Sequence, residues 1–202
     1  MTVKSIVTGP ISVNTYIIIN KKECIVIDPG ANYSGIMEEI GDNIKVVAVL
    51  LTHGHFDHIG AVSEFQNMGI NIYIHQLDEN KLSNQKLLAA YYGMTLTDLH
   101  TDKLLYGNEM MNLAGLEVKI IHTPGHTSGC VVYIINDCIF SGDTLFYESY
   151  GRCDLFDGDF YSIKESIINK IFALNNDYTV YPGHGISTTL SHERVYNPIL
   201  ND

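Results

Sequence analysis

Cations are scarce in this 202-residue chain: 12 Lys and Arg stand against 23 Asp and Glu, a formal net charge of -11. Such a surface repels nucleic acid and anionic membrane, so a polyanion partner is excluded unless bound metal reverses the local field. Cysteine is equally sparse. Cys24, Cys130, Cys138 and Cys153 lie far apart with no CxxC pair, which fits neither a disulfide framework nor a thiolate zinc site. The first three sit in apolar runs and read as small core residues. Cys153 stands in a polar loop, where a structural role is the better reading than a reactive thiol. No uninterrupted apolar run reaches the roughly 20 residues of a membrane span, and MTVKSIVTGP lacks the apolar stretch of a signal peptide. The expectation is a cytoplasmic protein with no membrane partner.

Hydrophobic residues make up 46% of the sequence and charged ones 17%, a composition that buries a sizeable core rather than staying disordered. β-Branched apolar runs closed by Gly, Asn or Pro predict strands at residues 16–19, 24–27 and 46–51, with further strands at 72–75, 117–121, 131–135, 138–141 and 179–181. Helical spacing appears at 59–68 and 80–92, and again at 161–174, where Ile163, Ile167, Ile168 and Ile171 share a face. Strands and helices alternate throughout, with no long linker, repeat or low-complexity tract. The reading is one α/β domain over residues 1–202. Residues 76–112 carry the weakest pattern, and an edge or lid role is expected there.

The chemistry is concentrated at strand ends. Behind the run at 46–51 stands Thr52-His53-Gly54-His55-Phe56-Asp57-His58-Ile59-Gly60, an HxHxDH signature with four metal-ligand side chains in six residues. In extended backbone His53 and His55 point to one side and grip one cation, whereas Asp57 and His58 fall where the chain turns into a helix and a second cation has room. His126 in TPGH, Asp143 in SGDT and His184 in YPGHG each follow a β-like run in a Gly-containing turn. Ligand sites in α/β sheets gather at such carboxyl ends. Five imidazoles and two carboxylates form the mixed nitrogen and oxygen set that zinc favours, while calcium would want more oxygen.

These motifs resemble the metallo-β-lactamase superfamily, and within it the short hydrolases similar to glyoxalase II. The likeness covers nearly the whole chain: Asp28-Pro29-Gly30, THGHFDHIG, HTPGHTSG, SGDTLF, Gly151-Arg152-Cys153-Asp154 and YPGHG occur in the family's order. It implies an αββα sandwich, two mixed sheets face to face with helices outside, and a dinuclear metal site at one edge. It further implies one metal on His53, His55 and His126, the other on Asp57, His58 and His184, and Asp143 bridging both. Two divalent metals are implied, zinc first, with iron or manganese as alternatives. Asp57 is the candidate catalytic carboxylate as well as a ligand.

His75, His100, His122 and His192 read as structural or surface residues, His122 with a possible role behind the ligands. Asp28 divides equally between turn-former and support for the metal ligands. Arg152 and Asp154 read more readily as a loop-holding pair than as substrate contacts. The family likeness points to thioester or related ester hydrolysis of a small molecule. Only residues 185–202 follow His184, so the helical domain that builds much of the glyoxalase II glutathione site is not expected, and glutathione specificity is not implied. The rivals are a mononuclear iron persulfide dioxygenase, whose usual Ala-His-Asp-Tyr run is replaced here by Gly183-His184-Gly185-Ile186, and a lactonase. A nuclease is disfavoured by the charge.

Overall fold

The computed structural model describes residues 1–201. Strands β1 (Thr2–Thr8), β2 (Val13–Asn20) and β3 (Glu23–Ile27) form an antiparallel meander. Helix α1 (Tyr33–Ile40) then leads to β4 (Lys45–Leu50), α2 (Phe56–Ile59), α3 (Val62–Asn67) and β5 (Ile72–His75). A 3₁₀ turn at Gln76–Asp78, α4 (Lys81–Asn84) and α5 (Lys86–Tyr91) precede β6 (Lys103–Leu105), which completes a six-stranded sheet in the order β1-β2-β3-β4-β5-β6.

The second half builds a partner sheet from β7 (Met110–Leu113), β8 (Leu116–His122), β9 (Val131–Ile135) and β10 (Cys138–Gly142). A small hairpin, β11 (Leu145–Phe146) and β12 (Ser149–Tyr150), and helix α6 (Phe160–Glu165) follow, and α6 widens into a π-helical turn at Ser166–Ile171. Strands β13 (Thr179–Pro182) and β14 (Thr188–Thr189) and helix α7 (Leu190–Tyr196) come last, giving the order β14-β13-β10-β9-β8-β7. Both sheets are mixed: β3 to β6 are parallel neighbours in the first, and β10 pairs parallel with β13 in the second.

Strand periodicity explains the layering, because successive side chains leave opposite faces of a sheet. Along β2, Ile18 joins Ile25, Leu50, Val118, Tyr133 and Phe140 in a core between the two sheets. Its neighbour Ile17 faces the other way, onto Ile36, Phe56, Ile59 and Phe65 of the helices outside the first sheet. On the outer face of the second sheet, Val132 and Ile139 pack against Ile163, Ile167 and Ile171, three of the four isoleucines whose spacing predicted that helix. Three apolar layers thus separate four layers of backbone, the αββα sandwich expected.

Each strand predicted from the sequence is present, within two or three residues at either end. The helices differ more. The one expected at 59–68 is two short helices, because the chain must pass so close to the Asp28-Pro29-Gly30 turn that a Cβ on Gly60 would lie 2.0 Å from the Gly30 carbonyl oxygen. The helix at 80–92 is likewise interrupted at Gln85. Residues 76–112 do supply edges: β6 closes one sheet and β7 the other. Missing from the sequence reading are β1, β6, β7, β11, β12, β14, α1 and α7. Among the described residues no helix is long and apolar enough to cross a membrane.

Candidate metal centre

Strands β8, β10 and β13 run in one direction and deliver His126, Asp143 and His184 to the same edge of the second sheet. The loop after β4 brings His53 and His55 from the first sheet, and Asp57 and His58 lie on α2. His55 precedes that helix with extended backbone, φ -70° and ψ 149°, so the HxH pair and the DH pair belong to different local structures, as their spacing predicts. All seven side chains converge. His53 Nε2 lies 3.1 Å from His55 Nδ1, and His126 Nε2 lies 2.9 Å from that same atom. Asp57 Oδ2 is 3.3 Å from both His58 Nε2 and His184 Nε2. Asp143 stands between the two groups, with Oδ1 3.4 Å from His58 Nε2 and Oδ2 3.5 Å and 3.6 Å from His126 and His184 Nε2.

Hydrogen bonds behind the imidazoles decide which nitrogen of each ring faces inward. A carbonyl oxygen only accepts, so His126 Nδ1 donates to Arg152 O (2.7 Å) and His184 Nδ1 to Ser12 O (3.3 Å). Asp28 Oδ2 accepts from His58 Nδ1 at 2.9 Å and from the Thr52 hydroxyl at 2.6 Å. With its proton committed to Asp28, that hydroxyl accepts from His53 Nδ1 at 3.1 Å. The Nε2 atoms of His53 and His126 therefore present lone pairs to the centre, and those of His58 and His184 face it too, as the nitrogens that would give up a proton to an arriving cation. This resolves Asp28: besides shaping its turn at φ 49°, it orients His58 and, through Thr52, His53.

The arrangement fits cations. His55 Nδ1 carries at most one proton, yet two bare Nε2 atoms face it at hydrogen-bond distance, close to the about 3.3 Å between nitrogens sharing one tetrahedral zinc. His58 Nε2 and Asp143 Oδ1 are buried and have no hydrogen-bond partner, an expensive condition that an ion between them would relieve. Burial and the neighbouring imidazoles hold His53 well below its ordinary pKa, and burial with His126 brings His55 down to about 4. Burial also opposes charge on His58, but Asp57, Asp143 and Asp28 outweigh it and push that ring well above the usual range. Burial disfavours the charged form of Asp143 too, and His58, His126 and His184 overcome it and keep the carboxylate ionised.

Above the centre opens a cavity of about 1000 Å³ whose wall includes Phe56, Leu88, Tyr92, Phe146, Tyr150 and Leu155. Lys81 and Arg152 are its lysine and arginine, and both are engaged. Lys81 Nζ donates to Asp78 and Asp157 at 2.8 Å and 2.7 Å, and Arg152 forms a bidentate pair with Asp154 at 2.7 Å and 2.8 Å. The Arg152–Asp154 pairing predicted from the sequence is present. Asp78, fully buried, went unnoticed there, its one local signal being Lys81 three positions on.

The remaining titratable groups lie away from the centre. His122 stacks on His75 at 4.2 Å between centroids and bonds Ser128 O, His192 pairs with Glu148, and His100 with Asp102. Cys153 is half-buried against the apolar layer around α6, and burial pushes its thiol up, which supports the structural reading over a reactive one.

Residues 8–184 match the family model described as the metallo-beta-lactamase superfamily. The chain is 35% identical over 199 residues to the probable metallo-hydrolase YqgX of Bacillus subtilis, covering 96% of this chain and 94% of that one. It is 34% identical over 191 residues to the hydroxyacylglutathione hydrolase GloC of Haemophilus influenzae, covering 90% and 89%. Among solved structures, the BLEG-1 B3 metallo-beta-lactamase superposes with a TM-score of 0.92 at 34% identity over the full length of both chains. TTHA1623 in a di-iron-bound form gives 0.85 at 32%, covering 96% of this chain and 98% of that one. Motif order, αββα layering and these matches agree, and the chain belongs to the metallo-beta-lactamase superfamily.

Proposed function

We propose that this chain is a cytoplasmic hydrolase of small-molecule thioesters or related esters, and that its seven convergent side chains hold two divalent cations. His53, His55 and His126 would hold one, Asp57, His58 and His184 the other, and Asp143 would lie between them. The observation that carries this reading is the inward set of bare imidazole nitrogens together with the unpartnered His58 Nε2 and Asp143 Oδ1. Zinc suits the nitrogen-rich set, with iron or manganese as alternatives. The di-iron form of the relative TTHA1623 keeps iron in view. Bound there, such a pair supplies ionised water at neutral pH and a Lewis acid for a carbonyl oxygen.

The chain's own residues do the rest. The apolar part of the wall, Phe56, Leu88, Tyr92, Phe146 and Leu155, seats the acyl group. Burial raises the pKa of Asp57, but His58 and His184 outweigh it and keep the carboxylate ionised, so it is the group assigned to accept and return a proton. A thiolate, whose parent thiol has a pKa of about 8.5, departs without a general acid, whereas an amide nitrogen needs one. Thioesters are therefore the least demanding substrates for this centre.

Metal analysis of the purified protein, followed by a panel of thioesters and lactones with a His55→Ala control, tests the assignment. The expected result is two cations per chain, thioester turnover, and loss of that turnover in a variant that remains folded by circular dichroism. Full activity in His55→Ala would refute it. Lactone turnover alone would move the assignment to a lactonase. One iron per chain with oxygen consumption on glutathione persulfide would make the protein a dioxygenase.

A further inference from the structure

The buried carboxylate of Asp78 gathers donors from three separate segments. It accepts from the Gly54 amide at 2.8 Å, the Thr127 hydroxyl at 2.9 Å, the Gly129 amide at 2.9 Å and Lys81 Nζ at 2.8 Å. Gly54 lies between His53 and His55, and Thr127 follows His126 directly. Lys81 then reaches Asp157 at 2.7 Å, and Asp157 in turn accepts from the amide and hydroxyl of Ser128 at 3.0 Å and 2.9 Å. The triad Asp78–Lys81–Asp157 thus fastens the HxH loop and the TPGH loop to one point.

The close fit extends to the backbone. A Cβ on Gly129 would stand 2.4 Å from Asp78 Oδ1, and one on Gly54 2.6 Å from the Lys81 Cβ. Only glycine lets one loop approach the Asp78 carboxylate, and the other the Lys81 stem, this closely. The other half of the centre is held differently: Asp28 orients His58, and Ser12 O orients His184, with no contact to Asp78. The support of the two cation positions is therefore asymmetric.

We infer that Asp78 is a positioning residue for one cation alone, the one assigned to His53, His55 and His126, and that it acts by locking the distance between their two loops. This rests on the reading of those three imidazoles as a ligand set. Loss of a hydrogen bond behind a metal ligand typically costs about 10- to 100-fold in metal affinity, and here that loss should fall on one site.

The test uses the full chain and cobalt(II), whose visible bands report ligand geometry, titrated against a chromophoric chelator. His55→Ala and His184→Ala identify the binding step and the bands that belong to each position. Asp78→Asn is expected to weaken by about 10- to 100-fold the step that His55→Ala removes, to shift its bands, and to leave the other step unchanged. Thr127→Val, which removes a single contact, is expected to do the same more weakly and covers the case in which Asp78→Asn fails to fold. Without metal, Asp78→Asn or Thr127→Val should speed hydrogen exchange at Gly54 and Gly129. A variant that melts earlier but keeps both affinities and both sets of bands overturns the proposal and makes Asp78 a structural residue only. If the wild-type chain takes up no cobalt, the ligand reading itself fails along with the inference, whereas two cobalt ions bound with Asp78→Asn unaffected sinks the inference alone.

Discussion

Asp28 and Asp78 place imidazoles in two ways: Asp28 bonds a ring directly, and Asp78 bonds the loops that carry the rings. Asp28 receives the Thr52 amide, the Thr52 hydroxyl and His58 Nδ1 at 2.8 Å, 2.6 Å and 2.9 Å. Asparagine keeps the shape and tolerates the positive φ of 49° at this position. Its amide nitrogen, however, is a donor and cannot receive all three. Asp28→Asn is therefore expected to leave the fold intact and to lower affinity for the cation assigned to His58 by about 10- to 100-fold, with a smaller loss at the other position through Thr52 and His53, measured by chelator competition. The result complements that for Asp78→Asn, since Asp28 bears on both positions, through His58 and through Thr52 on His53, and Asp78 on one. Asp28 was legible as a residue of interest because Asp-Pro-Gly is a turn signal. Its hold on His58, 30 residues away, was not, since nothing local links them.

Elements place these residues only roughly, and the loops between elements finish the work. The strands were readable because β-branched runs reflect burial on both faces, a property of the residues themselves. Helix lengths were not, because the chain breaks between α2 and α3 where Gly60 passes against the distant Gly30 carbonyl, a contact no local pattern shows. The segment 153–158 depends on one such contact, the Asp157 bonds to Lys81 and Ser128. Burial raises the pKa of Asp157, but Lys81 and Ser128 outweigh it and bring the carboxyl down from 3.8 to about 2. A folded-state value below the unfolded one contributes stability that is present above about pH 4 and is lost as the pH falls toward 2. Asp157→Asn should accordingly flatten the decline in melting temperature between pH 4 and pH 2 relative to the wild type, while a parallel decline would remove Asp157 from the acid response.

The charge of the whole chain and the lining of the cavity act together on substrate choice. Net charge is -11, the wall is largely apolar, and both Lys81 and Arg152 already have carboxylate partners. A carrier rich in phosphate therefore meets no free cation along the wall. For one acyl group offered on N-acetylcysteamine and on coenzyme A, kcat/KM is expected to be at least about tenfold higher for the neutral carrier at low ionic strength, with the gap narrowing in added salt. A preference for the coenzyme A ester would show that Arg152 leaves Asp154 to bind it. The seven candidate donors, the order of their motifs and the α/β class were readable in the chain as a string, because ligand chemistry and strand hydrophobicity are carried by short runs, and the αββα layering followed from the family likeness those motifs carry. The tautomers, the cavity and the clamp on Asp78 were not. The clamp depends on contacts across 24, 49 and 51 residues, and the rings of His58, His126 and His184 are oriented across 30, 26 and 172; such distances close only when two sheets pack and bring their loops to a common edge.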